Sequence, residues 1–121
     1  MSLDGIDWEV GDVTVISLSG AITLGAPTSQ IREWILEAVN QGRKKILLNL
    51  GEVYFIDSSG LGELVSAYTS VTGRGGRLKL LNLNRRVRDL LQITKLYTVF
   101  EVFDDEGKAL ASFTQADAAA L

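Results

Sequence analysis

The stretch Val53-Tyr54-Phe55-Ile56-Asp57-Ser58-Ser59-Gly60-Leu61-Gly62 passes from an apolar, β-rich run into a helical pattern with no linker between them. Leu61, Leu64, Val65, Tyr68 and Val71 then form one apolar stripe, and Gly73-Arg74-Gly75-Gly76 ends it. The same strand-then-helix unit recurs on either side. Upstream, Ile46-Leu47-Leu48-Asn49-Leu50 is a nearly continuous apolar run, as suits a strand covered on both faces. Before it, Ile31, Trp34, Ile35, Ala38 and Val39 predict a helix opened by Pro27 or Thr28 and stopped by Gly42, with residues 21–26 as a loop. Arg43, Lys44 and Lys45 stand where a helix C-terminus favours cations. Ile6, Trp8 and Val10 share a face and lead through Gly11-Asp12 to Val13, Val15, Ile16 and Leu18, an antiparallel hairpin. Downstream, Leu78, Leu80, Leu81 and Leu83 predict a strand, and Asn84 caps a helix with Val87, Leu90 and Leu91 inward. Tyr97 to Phe103 predicts a last strand, and Asp104-Asp105-Glu106 opens a closing helix carrying Leu110 and Phe113. The order is ββαβαβαβα: a mixed, mostly parallel α/β sheet of about five strands with helices packed against it.

At 121 residues, with 46% apolar and 22% charged, the chain is expected to form one domain over residues 1–121, with 116–121 frayed. It holds no cysteine and no histidine, which removes thiolate zinc sites, disulfides and the usual base of serine hydrolases. A net charge of −3 argues against direct nucleic-acid binding. No apolar run approaches the ~20 residues of a membrane span, and Met1-Ser2-Leu3-Asp4 lacks signal-peptide character, so no membrane insertion and a cytoplasmic location are expected. No carboxylate pair suggests acid–base chemistry. The acidic residues Glu101, Asp104, Asp105 and Glu106 lack calcium-loop spacing, and Gly73-Arg74-Gly75-Gly76 follows a helix rather than opening one, as a phosphate loop would. No metal, cofactor or catalytic residue is predicted. Trp8 and Trp34 read as core residues on apolar stripes.

The 57–62 segment departs from local rules. Gly60 and Gly62 lie in the first turn or so of a helix, at ~1 kcal/mol each relative to alanine, and no capping-box acid follows the serines. Such departures collect at functional sites. Ser58 falls at or next to the N-cap, near unpaired backbone N–H groups and the positive end of the helix dipole. Two readings follow from the residues alone: a plain strand-to-helix turn with Ser58 as cap, or an exposed hydroxyl where another molecule approaches the glycines closely.

With its flanking strand and helix, this segment resembles the signature of STAS domains, and within them the stand-alone anti-sigma-factor antagonists of bacteria. Gly20, the 46–50 run, Gly75-Gly76 and Leu90-Leu91-Gln92-Ile93-Thr94-Lys95-Leu96 extend the likeness over nearly the whole chain. The resemblance implies a partner switch without catalysis of its own. The unphosphorylated protein binds an anti-sigma factor that is also a serine kinase; phosphorylation of Ser58, with Ser59 as the alternative acceptor, releases it; a serine phosphatase resets the cycle. Asp57, Ser58, Ser59, Gly60, Gly62, Glu63 and Ser66 are the expected partner-binding residues, on a helix side that also carries Ala67, Thr69 and Ser70. The second reading is an accessory STAS subunit that binds the ATPase of a membrane transporter. Two departures stand out: Gly20-Ala21-Ile22-Thr23 lacks the acidic residues common after that glycine, and Lys95 replaces a usual glycine, which predicts a changed loop. Arg85, Arg86 and Arg88 crowd a helix start, either as a solvated face or as a contact for an acidic partner or phosphate.

Overall fold

A computed structural model describes residues 2–119 of the chain. Strands β1 (Leu3–Val10) and β2 (Val13–Ile22) form the hairpin. Then come α1 (Ala26–Asn40), β3 (Lys45–Ile56), α2 (Ser58–Gly73), β4 (Arg77–Leu81), α3 (Arg85–Ile93), a 3-10 turn at Leu96–Thr98, β5 (Val102–Phe103) and α4 (Glu106–Ala119). The strands lie in the order β1-β2-β3-β4-β5, with the first pair antiparallel and the others parallel, as the alternating pattern requires. The expected fraying of 116–121 reaches beyond the described residues, since α4 is described through Ala119 and residues 120 and 121 are not.

β3 runs through the centre and explains its own sequence. Ile46 and Leu48 face α1 and α2, whereas Leu47 faces Ala109 and Phe113 of α4, so both sides of the strand are dry over residues 46–48. α1 lays Ile31, Ile35, Ala38 and Val39 on the first face beside Leu61, Leu64 and Ala67 of α2. On the second face, Lys79 is 2% exposed yet fully engaged. Its Nζ donates to Ser112 Oγ at 2.8 Å, lies 3.4 Å from Glu101 and sits 4.6 Å from the centre of the Phe113 ring.

Several expectations need correction. Trp8 is 38% exposed rather than core, because β1 is the sheet edge; Ile6 and Val10 are exposed beside it. Trp34, by contrast, packs against the core as expected, half-buried with its ring against Gly5. β2 extends through Ala21 and Ile22, both wholly buried, so the loop is shorter than 21–26. The basic run 43–45 serves the hairpin as well as α1's end: Arg43 pairs with Glu9 while its Nε donates to the C-cap residue Gln41 at 3.0 Å, and Lys45 pairs with Asp12 at 2.6 Å. β4 ends at Leu81, before Leu83, where Asn82 takes a φ of 60°. The strand expected over 97–103 shrinks to Val102–Phe103. Phe100 turns into the core instead and meets Tyr68 edge-on at 5.5 Å. Lys95 adopts a φ of 61°, the conformation glycine favours, so the lysine retains a left-handed turn rather than replacing it.

Candidate functional site

The 57–62 segment lies at the C-terminal end of β3, where open α/β sheets commonly bind ligands. Asp57, rather than Ser58, caps α2. Its backbone is extended, and its Oδ1 accepts from the Gly60 N–H at 2.7 Å. Oδ2 accepts from the Leu24 N–H at 3.1 Å, which fastens the loop after β2 to the start of α2. The Gly60 N–H first and the Leu24 N–H second hold this carboxyl below the usual aspartate range. Asp57 is therefore ionised at neutral pH.

Because the aspartate does the capping, the serine is released from it. Ser58 occupies the first helical position and is exposed, and among the described residues no hydrogen bond engages its hydroxyl. Ser59 beside it is half-buried. The helix dipole presents partial positive charge here, and Asp57 presents a full negative one. The hydroxyl is thus reachable, and any anion placed on it meets both fields.

The other expected contact residues divide. Gly62 and Ser66 are exposed, and nothing lies within 4 Å of a Cβ built on Gly62, so a partner could approach the helix backbone there. Gly60 does not face outward: a Cβ there would stand 2.1 Å from the Ile22 carbonyl oxygen, so this glycine lets α2 seat against β2. Glu63 is also withdrawn. Its side chain is 5% exposed and accepts from Arg32 Nη2 at 2.7 Å across the seam between α1 and α2. Ala67 is buried in the same seam. The helix side opposite Leu61 and Leu64 is therefore partly covered by α1, which the periodicity of α2 alone does not reveal.

Two links were not apparent from the sequence, Arg32 to Glu63 and Leu24 to Asp57. Each joins residues more than thirty positions apart, and one sequence carries no signal for such pairs. The capping role of Asp57 had a signal, since aspartate three residues before a free helical N–H is a preferred cap. Leu24, whose N–H holds Asp57, exposes 76% of its surface beside this turn. Among the described residues no set of acidic residues is placed to hold a metal, and no helix is long and apolar enough to cross a membrane.

A five-stranded mixed sheet whose central strand delivers a capped, exposed serine to a helix start defines a small α/β interaction module. The chain belongs to the STAS domain family, whose model matches residues 8–109. It is similar to the anti-sigma-B factor antagonist of Bacillus subtilis, with 33% identity over 88 residues, 72% of this chain and 78% of that protein. It is also similar to the anti-sigma F factor antagonist of Paenibacillus polymyxa, with 29% identity over 99 residues, 81% of this chain and 84% of that one. Among solved structures, the Bacillus cell-fate determinant SpoIIAA in its phosphorylated form superposes with a TM-score of 0.72 at 27% identity, covering 91% of this chain and 99% of that one.

Proposed function

We propose that this chain is an anti-sigma factor antagonist that works by partner switching in the cytoplasm, with Ser58 as its phosphorylation site. Unphosphorylated, it docks an anti-sigma factor that is also a serine kinase, over Asp57, Ser58, Ser59, Gly62 and Ser66. Phosphorylated, it lets go, and a serine phosphatase restores the hydroxyl. The chain acts by binding and performs no catalysis. Gly60 and Glu63 contribute by seating α2 rather than by contact.

The observation that carries this reading is the exposed, unengaged Ser58 hydroxyl directly behind a carboxylate already held ionised by two backbone N–H groups. A phosphoryl group adds about −1.5 to −2 charge. In the free protein the dipole of α2 stabilises it by ~0.3–1 kcal/mol. Within a closed interface beside ionised Asp57, an uncompensated dianion costs several kcal/mol. A net penalty of ~3 kcal/mol weakens binding roughly a hundredfold, so the sign is release.

The test is calorimetric titration with purified anti-sigma factors from the same organism. At least one should bind the parent and Ser58→Ala, and should fail to bind Ser58→Asp. With ATP, it should place phosphate on Ser58, which peptide mass spectrometry locates. Equal affinity for Ser58→Asp and the parent would defeat the switch, and phosphate found on Ser59 would move the site.

A further inference from the structure

Beside the end of β3, the strand that leads into Ser58, lies an open depression of about 620 Å³, floored by Phe55, Ile56, Leu90 and Ile93. Its floor is apolar and its rim is charged, by Arg85, Arg86 and Asp89. Three features suggest that this surface is built for contact. Ile93, at the end of α3, exposes 79% of its surface, the largest exposure of any large apolar residue described. Arg85 and Arg86 are the first two residues of α3, where the helix dipole opposes cations and the first turn holds no acidic residue; Asp89, one turn on, is the one carboxylate on the same rim. Among the described residues, no carboxylate forms an ion pair with Arg85, Arg86 or Arg88. Arg86 instead lies over the Phe55 ring, 5.7 Å from its centre, a contact that holds the guanidinium beside the apolar floor.

Cations at that position do not help the fold, and an isolated apolar floor does not help solubility; together they match one kind of surface. The floor is continuous with the proposed switch site, because Phe55 and Ile56 lead directly into Asp57 and Ser58. We infer that the anti-sigma factor docks across α3 as well as α2, inserting an apolar side chain over Phe55 and Ile93 and flanking it with carboxylates that pair with Arg85 and Arg86. The inference rests on the function proposed above and adds the partner's chemistry: an acidic rim around an apolar knob. Desolvated aromatic and arginine anchors beside a central apolar contact are the pattern that concentrates binding energy.

The experiment uses an anti-sigma factor that binds the parent protein, titrated against the double variant Arg85→Glu/Arg86→Glu at two salt concentrations. Expected is a loss of about tenfold or more in affinity, mostly in association rate, and a weaker salt dependence than the parent's. Ile93→Asp should lose affinity as well. Arg88→Glu serves as control, because Arg88 lines a different depression with Leu83 and Tyr97, and it should bind within twofold of the parent. Thermal melting separates contact from folding: glutamates suit the start of α3 and offset the lost Arg86–Phe55 contact and the new neighbour Asp89, so the double variant should melt close to the parent. Undiminished binding by the double variant, while Ser58→Asp still abolishes it, would overturn the inference and leave the switch standing. If the parent binds no anti-sigma factor, the function falls and this inference falls with it.

Discussion

Substituting alanine for Gly60 tests the geometry that presents Ser58. A Cβ at Gly60 would lie 2.1 Å from the Ile22 carbonyl oxygen and 2.8 Å from Ile22 Cγ2. A carbon and a carbonyl oxygen approach no closer than ~3.3 Å, so the start of α2 must retreat from β2 by about 1.2 Å. The same Ile22 oxygen accepts from the Asp57 N–H at 3.2 Å, and that bond does not survive such a shift. Overpacking costs ~1–3 kcal/mol and the lost hydrogen bond ~0.5–1.5, against a helix-propensity gain of at most ~1. The net is a loss of about 1–4 kcal/mol, or roughly 5–15 °C in Tm for a domain of this size. Gly62→Ala is the matched control. Its Cβ meets nothing within 4 Å, so the propensity gain stands alone and the variant should be stabilised by up to ~1 kcal/mol. Urea unfolding followed by circular dichroism measures both. If Gly60→Ala proved as stable as the parent, the close seating of α2 on β2 would be wrong, and with it the reason for a glycine at this position.

Three further outcomes are expected. Asp57 has a folded pKa below its unfolded value of ~3.9, so its stabilisation is complete above that pH and lost as pH falls through the lower folded value. Melting curves of the parent and Asp57→Asn from pH 7 to pH 2.5 should therefore run parallel above pH ~5 and converge in acid. Arg32→Ala should cost ~1–3 kcal/mol in urea unfolding by leaving the buried Glu63 carboxylate without its partner, and Arg32→Ala/Glu63→Leu should recover most of that loss. Lys95→Gly should stabilise the protein by ~0.5–1 kcal/mol, because it relieves a left-handed lysine at φ 61° at the modest cost of glycine's freedom in the unfolded chain.

The sheet was legible because its strands carry their environment in their composition. Ile46 to Leu50 is apolar but for Asn49, since helices cover both faces of the strand there, and Gly11-Asp12 turns the hairpin where expected. The 97–103 segment misled because alternating apolar residues also suit an irregular chain that tucks Phe100 and Val99 into the core. Trp8 misled because an edge strand shows the same alternation as an inner one, so alternation alone does not tell which face is dry. At the proposed site, the unusual glycines and serines pointed to the β3–α2 turn, yet the division of roles within that turn was hidden. Whether Gly60 or Gly62 faces outward depends on where Ile22 lies, and whether Glu63 is free depends on Arg32 of another helix. Helical periodicity gives one apolar stripe; it does not report a second neighbour packed along the flank.

The most direct measurement is a calorimetric titration of one anti-sigma factor with two forms of this protein, one carrying a free hydroxyl at Ser58 and one fully phosphorylated at that position alone. The free form should bind, and the phosphorylated form should bind about a hundredfold more weakly or not at all, with both retaining the same melting curve within ~1 kcal/mol. Equal affinities, or tighter binding by the phosphorylated form, would contradict a switch at Ser58.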